Sequence, residues 1–454
     1  MKRKSKFSLS TAQIIMLSFA LAIAVGTLLL LLPISSKTGK SVGVTDALFT
    51  ATTSTCVTGL VTLPTFSTWS IFGQAVILIL IQIGGLGIIT VMSGFMLAIR
   101  KKMGLGDRLL IQDAFNLNTL SGLTSFIKKV IIGTLIVEGA GALLYMTVFV
   151  PQFGATGIWI SVFNSVSAFC NAGIDIISEN SLCDYATHPM INAVTCILII
   201  LGGIGYIVWW DLARVLSEFK RKKLKCLRSL TLHSKIAITA TAILIFAGAA
   251  LIFIFEYDNP KTIADMSLFD KIQVSFFQSV TTRTAGFATL PQENLTNASA
   301  ILSLLLMFIG GSPVGTAGGI KTVTVALLIT SAISTVKGKD EISVFGRNIS
   351  KNALRKAVAV LASSFAIMFI SSLALSACMK NTPALDILYE TVSATATVGL
   401  TRGVSSVLNT AGKLIISATM YLGRVGPISL AFALNISKKS HNIVKNPTED
   451  ISVG

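Results

Sequence analysis

The stretch LFTATTSTCVTGL (residues 48–60) lies between two long apolar runs and resembles neither a membrane span nor a solvated loop. It is too rich in hydroxyl side chains to cross a bilayer and too apolar to sit in water. Its meaning comes from recurrence. Three further segments align with it on a glycine: VFNSVSAFCNAGI (162–174), FFQSVTTRTAGF (276–287) and LYETVSATATVGL (388–400). The glycines Gly59, Gly173, Gly286 and Gly399 are spaced 114, 113 and 113 residues apart, a period that chance does not keep. Ten residues before each stands an aromatic: Phe49, Phe163, Phe276 and Tyr389. Nine before stand polar Thr50, Asn164 and Glu390, but the third copy has Phe277 there, and its polar Gln278 comes one position late.

The flanks repeat too. Upstream of the glycines run the apolar segments 14–32, 130–150, 236–255 and 357–377, each long enough for a membrane span. Downstream lie second apolar runs carrying glycine clusters: IGGLG (83–87), LGGIG (201–205), IGGSPVG (309–315) and LGRVG (422–426). Each unit therefore reads span, short re-entrant segment, span. The expectation is an all-α membrane protein of four pseudo-symmetric membrane-pore-membrane units, eight spans plus four re-entrant pore segments, around one central pore. Unit 1 is expected over 13–99, unit 2 over 126–213, unit 3 over 236–335 and unit 4 over 354–436. Linkers fall at 100–125, 214–235 and 336–353, and tails at 1–12 and 437–454.

Irregular backbone at membrane depth is tolerated only where it is buried or lines a water-filled path. Four such segments around one axis present rings of backbone carbonyls, which replace the hydration shell of a cation. Glycine suits that role because the chain turns its carbonyls with dihedrals that side chains disfavour. The bland alternative is a packing loop between helices. Asp46 and Asp386, each thirteen residues before its glycine, stand where a short pore helix begins, and an N-cap role is expected.

The chain is 52% hydrophobic, 13% charged and carries a net charge of +17. Its basic residues cluster at 2–6, 100–108, 128–129, 214–235, 337–356 and 438–445, the tail and every second loop, which is the positive-inside pattern rather than a nucleic-acid footprint. Both termini are expected on the cytoplasmic side of the plasma membrane. A cleaved signal peptide is the rival reading of the first run, but Pro33 ends it directly with no small-x-small site. Six cysteines without paired spacing and three scattered histidines leave no metal or acid–base cluster, and no phosphate loop or dinucleotide fingerprint appears. A membrane enzyme has nothing to stand on here. A secondary transporter for another solute is the alternative function, but it predicts inverted repeats rather than four parallel units.

The motifs DALFTATTSTCVTGL, AFCNAGI, RTAGF, ETVSATATVGL and GRVGPISL resemble, in order, the signatures of the Ktr/Trk/HKT superfamily of potassium transporters, over nearly the whole chain. Only a dozen residues precede the first span, so the Ktr-type membrane subunit is the closer likeness. The resemblance implies a potassium filter built by Cys56, Val57, Thr58 and Gly59; by Cys170, Asn171, Ala172 and Gly173; by Arg283, Thr284, Ala285 and Gly286; and by Ala396, Thr397, Val398 and Gly399, with potassium held at the glycines. Four glycines resemble the potassium-selective members; some plant relatives carry serine in the first filter and pass sodium. It further implies an intramembrane gating loop at Gly310, Gly311, Ser312, Pro313, Val314, Gly315, Thr316, Ala317, Gly318 and Gly319, running on to Lys321, for which a helix kink at Pro313 is the plain alternative. Arg424 matches the family's basic residue beside that gate.

Other intramembrane charges read less specifically. Glu138 suggests an interhelical hydrogen bond ahead of an ion site. Arg283 is expected to brace the third filter, because a cation in the ion path repels potassium. Lys321 and Asp211 are expected to anchor span ends. The resemblance also implies a homodimer, a cytosolic ring of nucleotide-binding regulator subunits, and sodium as a coupling or activating ion. The chain itself needs no cofactor beyond the transported K+, and lipid is its remaining partner. The loops 218–235 and 337–352 are the candidate docking face.

Overall fold

The computed structural model describes residues 10–98, 104, 122–217, 228–339 and 341–426. Residues 1–9 of the N-terminal tail, the C-terminal tail, most of the 100–125 linker, residues 218–227 with Cys226, and the end of GRVGPISL lie outside the described residues. The protein is built from helices. Unit 1 contains α1 (Thr11–Leu30), α2 (Val44–Cys56), α3 (Ile71–Leu86) and α4 (Ile88–Ala98). Unit 2 contains α5 (Leu123–Phe153), α6 (Ala155–Cys170), α7 (Pro189–Gly203) and α8 (Tyr206–Ser217). Unit 3 contains α9 (Leu232–Glu256), α10 (Leu268–Thr281), α11 (Asn297–Phe308) and α12 (Thr322–Val336), and unit 4 contains α13 (Lys351–Cys378), α14 (Ala384–Ala396) and α15 (Thr410–Val425).

The first helix of each unit is a membrane span by length and composition, and these four are the continuous ones among the described residues. Each begins before the apolar segment that announces it, and three of the four begin at a hydroxyl cap, whereas α5 follows Gly122. Ser10, Thr231 and Ser350 each accept a backbone N–H of the first turn, a bond worth about 1 kcal/mol. The second spans are broken rather than continuous. The chain is interrupted at Gly87 (φ 82°), at Gly205 (φ 92°, where α7 and α8 bend by 99°), and across residues 309–321 between α11 and α12. Helix α15 ends at Val425 before Gly426 (φ 88°). Each break falls in the glycine cluster of its unit, where a left-handed dihedral costs no side-chain clash.

The linker expected at 336–353 adds the one paired strand ladder among the described residues. It folds into a β-hairpin in which Ser343 and Val344 (β1) pair with Asn348 and Arg347 (β2).

Polarity is distributed as a bilayer requires. Large apolar side chains point outward on the first spans, among them Leu28, Ile136, Leu143, Phe246 and Ile370. The short helices α2, α6, α10 and α14 are buried instead, with their hydroxyls: Thr52, Thr53, Ser54, Ser165, Ser167, Ser279, Thr281, Thr391 and Ser393 are all covered. A fold whose polar groups face inward and whose hydrocarbon faces outward suits lipid surroundings. It also puts the four repeated segments at the centre.

Candidate functional site

The four aligned segments meet. A Cβ built on Gly59 would lie 2.4 Å from the Ala172 carbonyl oxygen and 3.2 Å from Cα of Gly399; on Gly173, 2.6 Å from Cα of Gly286; on Gly286, 2.5 Å from the Val398 carbonyl oxygen. Gly399 in turn would meet the Thr58 carbonyl at 2.3 Å. Units 1, 2, 3 and 4 thus abut in cyclic order. All four glycines have positive φ, between 64° and 98°, so both the space and the backbone exclude a side chain.

Two features of this ring escape a reading of the sequence for glycine alone. Two residues before each glycine the chain is left-handed at a non-glycine: Val57, Asn171, Thr284 and Thr397, with φ of 51–65°. Such positions cost on the order of 1–3 kcal/mol each, and the surroundings must hold them. The hold is a hydroxyl on the preceding helix. Thr53 and Ser393 accept the N–H of Gly59 (2.9 Å) and Gly399 (3.0 Å). Ser167 accepts the N–H of Ile174 at 3.1 Å and donates to its carbonyl, and Thr281 donates to the Phe287 carbonyl at 2.6 Å. These hydroxyls stand six residues before the glycine in units 1, 2 and 4 and five before it in unit 3, the same one-residue shift seen at Gln278. Its cause is local. The segments of units 1, 2 and 4 leave their helices through a bond from i to i−5, whereas Ala285 bonds Thr281, from i to i−4.

Behind the segments sit the polar residues of the repeat. Glu390 is buried and accepts from Thr401 (2.5 Å) and from Ser405. Gln278 donates to Gln292 at 2.6 Å. Asp46 and Asp386 are not N-caps: Gly43 and Pro383 hold those positions. Both aspartates lie one turn inside and take cations instead, Asp46 from Lys413 of unit 4 (2.6 Å) and Asp386 from Arg402 (2.6 Å). Arg402 also reaches the Gln292 carbonyl of unit 3 at 2.7 Å, so both pairs stitch neighbouring units.

Residues 310–319 form a non-helical loop pressed against the ring, not a kinked helix. Its ends are zipped by Gly310 N–H to the Ile320 carbonyl (2.9 Å) and Thr322 N–H to the Gly311 carbonyl (3.0 Å). Ser312 and Thr316 donate their N–H groups to the Gly203 and Gly202 carbonyls of unit 2, and Tyr206 donates to the Val314 carbonyl. Three of the four left-handed residues touch the loop. The Thr316 hydroxyl lies 3.1 Å from Asn171 Oδ1 and donates to the Phe169 carbonyl at 3.0 Å, Gly318 N–H donates to Thr284 Oγ1 at 3.2 Å, and a Cβ on Gly318 would strike Thr397 Oγ1 at 2.0 Å. Pro313 is followed by Val314 in the left-handed region (φ 63°), so the proline turns the loop rather than bending a helix.

Arg424 reaches inward instead of snorkelling. It donates to the Thr316 carbonyl of the loop (2.6 Å) and to the Gly84 carbonyl of unit 1. Arg283 lies beside its segment, donating to the Thr241 carbonyl of α9 (3.4 Å) and to Gly310 of the loop (3.3 Å). Lys321 does more than anchor a helix end. Its ammonium donates to the Ala317 carbonyl and lines, with Arg424, a cavity of about 380 Å³. Asp211 does anchor, tying α8 to the start of α9 through Thr231 and pairing with Arg214. Glu138 accepts from Gln82 of α3 at 3.2 Å and faces the Cys170 thiol, an interhelical bond between units 1 and 2. Among the described residues no group of His, Cys, Asp and Glu could hold a metal ion.

Comparison with known proteins agrees with this architecture. The TrkH family model, described as a cation transport protein, matches residues 1–446. The Ktr system potassium uptake protein B of Bacillus subtilis is 38% identical over 97% of this chain and 96% of its own. The potassium/sodium uptake protein NtpJ of Enterococcus hirae is 37% identical over 100% of this chain and 99% of its own. The crystal structure of the potassium transporter TrkH from Vibrio parahaemolyticus superposes with a TM-score of 0.75 at 17% identity, covering 96% of this chain and 86% of that one.

Proposed function

Since the chain belongs to the TrkH family of cation transport proteins, in its Ktr-type branch, we propose that it passes K+ through the ring of Gly59, Gly173, Gly286 and Gly399 and closes that path with the loop 310–319. The protein is a multi-pass membrane subunit for potassium uptake. The observation that carries the finer reading is the cyclic contact of the four glycine segments, whose covering loop is hydrogen-bonded to their bases. Backbone carbonyls of residues 56–59, 170–173, 283–286 and 396–399 replace the water around the ion. The loop blocks the way beneath, and Arg424 does two jobs there: it pins Thr316 and sets a positive charge against the cation.

The remaining assignments follow from the same reading. Both termini and the hairpin 343–348 face the cytoplasm of a plasma-membrane protein, and two copies pair. A nucleotide-binding regulator ring docks on the hairpin, whose tip carries Phe345, 56% exposed and left-handed (φ 50°). An exposed aromatic held in a strained turn has no use in a free loop and a clear one as a contact. Sodium is a coupling or activating ion; the Enterococcus relative is itself named a potassium/sodium uptake protein.

The test is cation uptake by purified protein in liposomes under K+, Na+ and choline gradients, with Gly59→Ser in parallel. K+ uptake that loses selectivity in the variant supports the four-segment filter. Flux that stays absent for every cation even with a regulator added refutes it.

A further inference from the structure

Arg283 is 6% exposed, inside the membrane, and its described contacts include no carboxylate. Its two bonds, at 3.4 and 3.3 Å to neutral carbonyls, sit at the long limit for N–H to O. Its Nε has no partner, and neither has the Thr241 hydroxyl, also 6% exposed. A buried donor left without an acceptor is costly, and a guanidinium more so than an amide.

The two orphaned groups share a void. A small cavity of about 10 Å³ has both Arg283 and Thr241 in its wall, with Val280 of α10, Ile199 and Gly203 of unit 2, and Gly311 of the loop. That size admits one water molecule and no more, and water fills a void only where polar partners are present. Here there are two, one an obligate donor and the other able to donate or accept.

We propose that one ordered water fills this cavity, accepting from Arg283 Nε and bonded to Thr241 Oγ1, and that it fastens the third glycine segment to α9 and to the start of the loop. Arg283 and Thr241 are then positioning residues that keep Gly310 in its closed place. The consequence for gating rests on the function proposed above; the water itself does not. A lipid chain cannot enter so small a void, and a halide is larger than the space offered.

The experiment joins a high-resolution cryo-EM map of the full-length protein in nanodiscs to K+ leak from liposomes without regulator, for the parent, Thr241→Val and Thr241→Ser. Expected are a density peak within hydrogen-bond reach of both groups, a leak about three- to tenfold higher in Thr241→Val, the size that one or two lost hydrogen bonds support, and parental leak in Thr241→Ser. An empty cavity in the parent map overturns the proposal, as does a bromide anomalous signal at that place in crystals grown with bromide. Water present but Thr241→Val leaking like the parent overturns the fastening role. If neither parent nor variants carry K+ even with the regulator added, the transport reading fails while the map still decides the water.

Discussion

Gly286 shows how much rests on single residues. Its φ is 84° and a Cβ there would meet the Val398 carbonyl at 2.5 Å, so Gly286→Ser must displace backbone that is shared with unit 4. The expected result is protein that folds and reaches the membrane but takes up K+ and Na+ with a clearly lowered ratio; an unchanged ratio by isotope uptake would refute the assignment. Arg424 makes a second prediction. Arg424→Ala removes two bonds to carbonyls of different units and a cation from the cavity, so basal K+ flux without regulator rises, by about tenfold if the lost bonds are worth near 1.4 kcal/mol. Flux equal to the parent in the same liposomes would count against it. The glycines and Arg424 were visible in the sequence because a glycine at a fixed period and a charge inside an apolar run are both local anomalies. The partner of Asp46 was not, since Lys413 comes from 367 residues away.

At the scale of the element, the short buried helices are the working parts. Helix α14 leaves through left-handed Thr397, held by the Ser393 hydroxyl on the Gly399 N–H, and its first turn is pinned by Asp386 to Arg402. Arg402→Leu breaks that pair together with its bond to the Gln292 carbonyl. The pair is mostly screened from solvent, its side chains 11% and 21% exposed, so a loss of about 1–2 kcal/mol is expected, seen as a lower thermal midpoint in detergent with selectivity kept. Ser393→Ala should do the reverse, leaving the midpoint close to the parent's while selectivity falls, because it frees a segment rather than a helix. The hydroxyls were legible as composition but not as latches. Only the exit geometry of each helix shows that Ser393 and Thr53 count six residues to their glycine and Thr281 counts five.

At the scale of the whole molecule, the four units meet at their glycine segments, large apolar side chains of the first spans face outward, and the hairpin 343–348 is largely exposed. Phe345→Asp should cost regulator binding, measured by co-purification or interferometry, while regulator-free K+ flux stays at the parental level. Binding at full strength would remove the hairpin from the docking face. The sequence by itself determined the four repeated segments, their aligned glycines and the family. Those depend on period, hydropathy and charge, which are properties of the chain read along its length. The tertiary structure alone decided that the second spans are broken at Gly87 and Gly205, that three left-handed residues bear on the loop, and that Arg283 and Thr241 share one small void. These depend on which backbone groups of different units come within bonding distance. A hydrogen bond between residues a hundred or more positions apart leaves no periodic trace in the chain that makes it.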